Sequence, residues 1–468
     1  MTQLPLRSIS LVFVVIAGLG CAVEMGFSPG ASASGDRPTK VPDRIVLSWA
    51  QDPASSLSVT WRTDTTVTDA RAQIALAESA PSFYKNAGNF HASTEELDSA
   101  VVEGEGEAAH YHSVTFEDLS PDTLYAYRVG DGTHWSEWFH ARTAANEPAP
   151  FSYIYFGDAQ NNLKSHWSRV IRAAFRKAPD ASFMIHAGDL VNQAHRDLEW
   201  GYWNRAGGWV QGMLPNVPIP GNHEYAPHPD QGDSRRLSTH WRPQFTLPRN
   251  GPDGLKETVY ALDHQGMRII GLNTQIAKQN DRWLDRQTEW LTSVLDTTDT
   301  RWTVVTMHHP LFSSAEGRDN EAIRAAWRPL FEEHQVDLVM QGHDHTYSRG
   351  QTQNLSQGVN ARPSTGGTVY VNSVSGAKMY QIKDDRWAPY EGIALDRGAE
   401  NTQLFQVVHV GRDTLAYRSY MATGTPYDAF DLVKQPDGRP NELIERPPSD
   451  AAERTWENTP PYDRPDGM

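Results

Sequence analysis

From residue 44 onward hydrophobic and polar positions alternate in short runs, at 45–49, 57–61, 73–77, 112–116, 124–129 and 135–141. Asp-Pro, Ser-Pro and Asp-Gly pairs separate several of them, and a period of two broken by turn residues predicts the half-buried strands of a small all-β sandwich. Past Asn146-Glu147-Pro148 the period changes. Residues 153–156 and 182–187 are apolar strand candidates, whereas 163–178 sets Val170, Ala173, Ala174 and Phe175 at helical spacing. Further helices are expected at 288–295 and 321–333, near apolar runs at 302–307 and 337–340. Strands alternating with helices argue an α/β domain with covered sheets. The late β-rich runs 368–372, 404–410 and 414–420 complete a sheet rather than found a third domain.

The ends have a different texture. Arg7, the apolar run 9–16 and the small residues Ala17, Gly18 and Gly20 precede Cys21, which is the form of an export signal. The run is too short to span a bilayer comfortably, and no later segment approaches ~18 consecutive apolar residues. Leu19-Gly20-Cys21 resembles the lipobox that ends a bacterial lipoprotein signal, with Gly18 standing where Leu is usual. Cys21 is therefore the candidate lipidation site, its alternative being a buried structural thiol. The expected location is exported, as a periplasmic, outer-membrane lipoprotein or extracellular bacterial protein. The predicted partition is a signal at 1–21, a Gly/Ser/Pro-rich linker at 22–40, the sandwich at 41–146, a catalytic domain at 147–430 and a polar, Pro-rich tail at 431–468, expected to be mobile after about Lys434.

Composition narrows the chemistry. A chain of 468 residues exceeds one ordinary domain, and 38% hydrophobic residues with 15 Trp, 17 Tyr and 15 Phe can fill a core. Against 58 Asp+Glu there are 42 Lys+Arg, a formal charge of −16. That surface repels phosphate backbones, so no nucleic acid is expected as a stable partner. One cysteine excludes an internal disulfide framework and every multi-cysteine metal site, leaving any metal to His, Asp, Glu or Asn.

Five times an apolar or Pro-bounded run ends in a turn or small residue and then a metal-competent side chain: Phe156-Gly157-Asp158, Ala187-Gly188-Asp189, Ile219-Pro220-Gly221-Asn222-His223, Val305-Thr306-Met307-His308 and Met340-Gln341-Gly342-His343-Asp344-His345. Groups at the carboxyl ends of strands in open α/β sheets share one crevice. Singly, each has an ordinary reading as a turn residue or a satisfied polar group; together, in this order, they point to one site.

This constellation resembles the calcineurin-like metallophosphoesterases, and Leu119-Ser120-Pro121 with Tyr125-Ala126-Tyr127 resembles the tyrosine-corner strand of fibronectin type III domains. The pair is similar to the purple acid phosphatase branch or its bacterial relatives. The resemblance implies an α+β and α/β multidomain fold, an N-terminal β-sandwich followed by a four-layer α/β/β/α metallophosphoesterase domain. It implies that Asp158 and His345 bind one metal, that Asn222, His308 and His343 bind the other, and that Asp189 bridges both. His223 would be catalytic, near the substrate, and His309 a possible substrate contact, since neighbours on an extended chain point to opposite sides. His186, His195 and His264 read as structural, and the aromatic stretch 200–209 as core, its alternative being the wall of a substrate cleft. Two divalent or trivalent ions drawn from Fe, Zn and Mn suit imidazole and carboxylate ligands without thiolate.

Two positions depart from the family pattern. Asn192 stands where purple acid phosphatases place a tyrosine, three residues after the bridging aspartate, which implies a colourless protein even with iron. Gln160 stands where the wider superfamily often has a histidine, so one metal is expected to be held less tightly. Both are candidate weak ligands. The expected activity is hydrolysis of a small phosphorylated substrate, a phosphomonoester, by attack of metal-bound hydroxide. The alternatives are a phosphodiesterase or nucleotide pyrophosphatase on the same centre, and a surface-binding module whose metal site is vestigial. Oligomeric state is left open.

Overall fold

The alternating runs fold into two packed sheets because each strand has one apolar face to bury. In a computed structural model, which describes residues 37–97, 107–227, 234–352, 367–436, 439–448 and 451–462, one sheet has the order β1 (Asp43–Ser48), β2 (Leu57–Asp64), β6 (Ala109–Phe116), β5 (Ser93–Leu97). The other has the order β4 (Gly88–His91), β3 (Arg71–Leu76), β7 (Leu124–Gly130), β8 (Phe139–Arg142). Trp61, Phe116 and Tyr127 fill the space between them. Tyr125 Oη accepts the Ser120 backbone N–H at 2.8 Å, the hydrogen bond that defines a tyrosine corner. The predicted run from Trp135 begins only at Phe139, Trp135 itself making an isolated bridge to Gly130. The export segment, Cys21 and residues 22–36 of the linker lie outside the described residues.

Two seven-stranded sheets follow. In the first, β9 (Phe151–Phe156), β10 (Met184–His186) and β11 (Asn216–Pro218) run parallel, and β21 (Leu404–Val410), β22 (Thr414–Met421), β23 (Pro426–Val433) and β24 (Glu442–Glu445) extend it antiparallel from β9. A small hairpin, β12 (Tyr225–Pro227) with β13 (Arg235–Leu237), stands apart. The second sheet has the order β14 (Tyr260–His264), β15 (Met267–Leu272), β16 (Trp302–Met307), β17 (Leu338–Gln341), β19 (Val369–Asn372), β18 (Tyr347–Gln351), β20 (Arg397–Ala399), with β15, β16, β17 and β19 parallel.

The two sheets face each other. Tyr155 of β9 hydrogen-bonds the carbonyl of Gln341 at the end of β17, and its Oη accepts the Gln341 N–H at 3.0 Å. The helix Ser168–Lys177 buries Val170, Ile171, Ala173 and Ala174 against the first sheet. The helices Asp281–Asp296 and Glu321–Glu333 bury Leu291, Leu295, Ile323, Trp327 and Phe331 with the second. This is the four-layer α/β/β/α arrangement, and it sets the carboxyl ends of the parallel strands of both sheets at one edge.

Two expectations need correcting. The stretch after about Lys434 is not a mobile tail throughout: β24 pairs with β23. Within β24 Glu445 meets Arg349 at 3.0 Å, and beyond it Glu453 meets Arg386 at 2.8 Å. The segment reads as polar because its acids answer arginines at a sheet edge. The stretch 200–209 divides, with Trp200 and Trp203 fully buried but Trp209 53% exposed.

Candidate metal centre

Each candidate ligand sits just past the end of a strand. Asp158 follows β9, Asp189 follows β10, Asn222 and His223 follow β11, His308 and His309 follow β16, and His343 and His345 follow β17. The turns are tight. Asp189, His343 and His345 adopt φ of 52°, 77° and 51°, a region that costs a residue with a Cβ and persists where surrounding structure enforces it. Gly221 is required by proximity: a Cβ there would lie 2.2 Å from Asp189 Oδ1.

The side chains converge. His308 Nε2 lies 3.1 Å from Asp189 Oδ2, 3.1 Å from Asn222 Oδ1 and 3.2 Å from His343 Nδ1. His345 Nε2 lies 3.8 Å from Asp158 Oδ1. Asp158, Asp189 and His308 offer ligand atoms within 4.8 Å of one another, and so do His308, His309 and His343. His308 is common to both groups, with Asp189 beside it. Asp158, Asp189, His308 and His345 are buried, whereas Asn222, His223 and His343 keep some exposure, so solvent reaches the cluster from their side.

The second nitrogen of several rings is fixed. His308 Nδ1 donates to the Ala187 carbonyl at 2.9 Å, and His345 Nδ1 donates to the Lys378 carbonyl at 3.1 Å. A carbonyl only accepts, so in each ring Nε2 is the atom turned to the cluster, as in imidazoles that hold metals. His223 is arranged likewise, with Nδ1 donating to the Asn192 carbonyl at 2.6 Å and its backbone N–H donating to Asp189 Oδ1 at 2.8 Å.

The two departing residues are both here. Gln160 is buried, its Nε2 2.9 Å from Asp189 Oδ2 and 3.2 Å from His345 Nε2; flipping the amide exchanges this nitrogen for Oε1. Asn192 meets the cluster through its backbone carbonyl. His309 does not turn away from His308: its ring centroid is 5.0 Å from that of His308 and 4.2 Å from that of His343. Strand alternation stops at Met307, so it does not govern these two side chains. His309 Nδ1 is hydrogen-bonded to Thr274 Oγ1 at 2.8 Å.

The electrostatics call for positive charge. Burial pushes Asp158 up to about 7 despite the opposing His308. Burial also works against a charged Asp189, but His308 and His223 outweigh it and hold that carboxyl well below the usual range. Burial opposes charge on His308 too, yet Asp189 and Asp158 lift it to about 9. Burial holds His309, His343 and His345 well below the ordinary histidine value. Asp158 Oδ1 and Gln160 Oε1 are buried with no hydrogen-bond partner among the described residues. Inward-facing imidazole nitrogens, two carboxylates and orphaned buried oxygens fit metal ions.

Sequence reasoning missed Glu224. Fully buried, it accepts N–H groups from Asp189 (2.9 Å), Leu190 (2.8 Å), Val191 (3.3 Å) and Gly221 (2.7 Å), tying the turn after β10 to the turn after β11. Burial, with the Asp189 charge alongside, pushes it up to about 8. Its one signal is its place directly after Gly221-Asn222-His223.

Comparison with known proteins assigns both halves. The profile of the purple acid phosphatase N-terminal domain matches residues 42–143, and that of the calcineurin-like phosphoesterase matches 153–347. Purple acid phosphatase 1 of Ipomoea batatas is 26% identical over 257 residues, 52% of each chain. Fe(3+)-Zn(2+) purple acid phosphatase 12 of Arabidopsis thaliana is 23% identical over 261 residues, 52% of this chain and 53% of the relative. The matched stretch thus spans about half the length of these curated relatives. The solved purple acid phosphatase from yellow lupin (Lupinus luteus) seeds superposes with a TM-score of 0.67 at 18% identity, covering 90% of this chain and 77% of its own. At that identity the likeness speaks for the fold.

Proposed function

We propose, from the premise that this chain is a purple acid phosphatase-like metallophosphoesterase with its own N-terminal domain, that it is an exported binuclear phosphoesterase releasing phosphate from phosphomonoesters. The observation that carries the reading is the convergence on Asp189: one buried carboxylate whose Oδ2 meets both His308 and Gln160, the latter adjoining His345.

In this reading Asp158 and His345 would hold one ion, Asn222, His308 and His343 would hold the other, and Asp189 would serve both. Gln160 would be a weak ligand, so an ion beside it would exchange more readily, whereas Asn192, whose carbonyl takes the His223 N–H, would orient that ring. Two cations supply Lewis-acid charge for the phosphoryl group and a water of lowered pKa. An Arabidopsis relative is named for Fe(3+) and Zn(2+), which supports testing iron with zinc or manganese here. His309 completes the imidazole wall on the His343 side.

His223 performs the proton step. As a water oxygen bonds to phosphorus and gives up its proton to solvent, the P–O bond to the leaving group breaks with its electron pair on the leaving oxygen, and that oxygen takes the proton from Nε2. The ring keeps its Nδ1 proton on the Asn192 carbonyl and regains the other from solvent. Export and a lipid on Cys21 are supported by the sequence 7–21 alone. Among the described residues no helix is long and apolar enough to cross a membrane.

Metal analysis and turnover of p-nitrophenyl phosphate, measured on wild type and Asp189→Asn, test the reading. The substitution is expected to lower both metal content and turnover, the latter by about 100-fold or more. Unchanged metal and unchanged turnover would remove Asp189 from the centre.

A further inference from the structure

The hydrogen bond that orients His223 depends on one carbonyl in an irregular turn, and that turn is itself held. Asn192 follows Asp189 by three residues, outside any helix or strand. Its carbonyl receives His223 Nδ1–H at 2.6 Å, and its N–H donates at 2.7 Å to Glu199 Oε2. The same oxygen receives the Gln193 N–H at 3.0 Å. One carboxylate oxygen therefore ties both successive peptide N–H groups on which the carbonyl's direction depends.

Glu199 is not loose. It lies in the first turn of the helix Asp197–Gly207, where a negative charge also favours the helix end. Two residues earlier, Asp197 is gripped by Arg44 of the sandwich at 2.7 and 2.8 Å and by His240 at 3.1 Å. The contacts run unbroken from β1 through Asp197, the helix start, Glu199 and Asn192 to the His223 ring.

We propose that Glu199 is a positioning residue for His223: by holding the Asn192 peptide it keeps the imidazole in its Nδ1–H form with Nε2 aimed at the leaving oxygen. The proposal rests on the reading of His223 as the group that protonates the leaving oxygen. It assigns a function to the sandwich as well, since Arg44 anchors the helix that carries Glu199.

Leaving groups of different basicity test it. Expulsion of p-nitrophenolate needs little protonation, whereas expulsion of an alkoxide, as from glycerol phosphate, needs a proton delivered in the transition state. For Glu199→Ala the kcat for glycerol phosphate is expected to fall about 10- to 100-fold, with p-nitrophenyl phosphate changed about twofold or less and KM unmoved for both. Glu199→Gln keeps an oxygen acceptor and is expected to restore most of the loss. Glu199→Asp, set back by one methylene, falls between and serves if the alanine variant does not fold. His223→Ala provides the reference and should show the same dependence on leaving group. If it does and the Glu199 variants lose both substrates equally, or lose only KM, the positioning role is overturned while the reading of His223 stands. If His223→Ala itself shows no such dependence, the reading and the inference fall together.

Discussion

Arg44 and Asp197 lie in different domains and form a two-pronged ion pair at 2.7 and 2.8 Å, shielded from solvent on both sides. Tyr111 Oη accepts a further Arg44 N–H at 2.8 Å, and Arg62 and His240 complete the ring around Asp197. Burial opposes the charge on Asp197, but Arg44, His240 and Arg62 outweigh it and hold the carboxyl well below its usual range. Removing Arg44 takes away both short contacts and leaves Asp197 only His240 and the longer Arg62 pair to offset its buried charge. Arg44→Met is expected to cost about 3–5 kcal/mol, seen in the denaturation midpoint, whereas replacing both residues with apolar ones costs less. A double-variant loss equal to the sum of the two single losses would show that the pair is not coupled.

Two deeply buried histidines set the response to acid. Burial drives His186 down to about 4, against an opposing hydrogen bond to Asn216, and drives His264 down to about 3. Unfolded, each titrates near 6.5, so between that value and the folded one the unfolded chain binds more protons. Their contribution is complete above about pH 6.5 and is lost as pH falls toward 4, at up to about 1.4 kcal/mol per pH unit for each. Denaturant midpoints from pH 7.5 to 4.5 measure this. His264→Gln is expected to flatten the slope, and an unchanged slope would exclude His264 as a contributor.

Strand-end chemistry was legible because each ligand candidate stands within a few residues of an apolar run, so motif and strand announce each other. Glu224 was not, because it works entirely through backbone N–H groups, which leave no trace in side-chain spacing. Glu199 escaped for the same reason. The edge strands Gly88–His91 and Ser93–Leu97 are almost wholly exposed, so no hydrophobic period marks them. The stretch after Lys434 looked disordered by composition, yet its acids pair with Arg349 and Arg386, contacts distant in sequence.

Gly221 leaves no room for a side chain. A Cβ would lie 2.2 Å from Asp189 Oδ1 and 2.6 Å from the Asp189 nitrogen, so Gly221→Ala must displace the carboxylate that meets His308. Overpacking of this kind costs about 1–3 kcal/mol, and metal content is expected to fall with stability. A variant that melts as wild type and retains its metal would show that the turn relaxes without moving Asp189.

Asn192 bears on colour. Its side chain is an amide where related phosphatases place a phenol, so no tyrosinate-to-iron charge transfer is available from this position. Iron-loaded protein is expected to show no strong band across the visible range. Such a band would mean that another tyrosine ligates the ion, and Tyr380, whose ring centroid lies 4.9 Å from that of His345, would be the first to substitute.

Glu224 gives the sharpest separation of charge from shape. Its Oε2 accepts the N–H groups of Asp189 and Gly221, and its Oε1 accepts those of Leu190 and Val191. Above about pH 8, where Glu224 is a carboxylate, Glu224→Gln preserves volume but turns an NH₂ toward one of these pairs, leaving buried donors facing a donor. Each unsatisfied group costs about 1–3 kcal/mol, so the variant should lose several kcal/mol although no atom is added or removed from the packing. Because the same N–H groups fix the turns that carry Asp189 and Asn222, metal affinity should fall with stability. Glu224→Leu, which cannot accept from any of the four, should be worse on both measures. Calorimetric melting and metal titration on the two variants decide it. If glutamine matches glutamate in both, the carboxylate is not what ties the turn after β10 to the turn after β11.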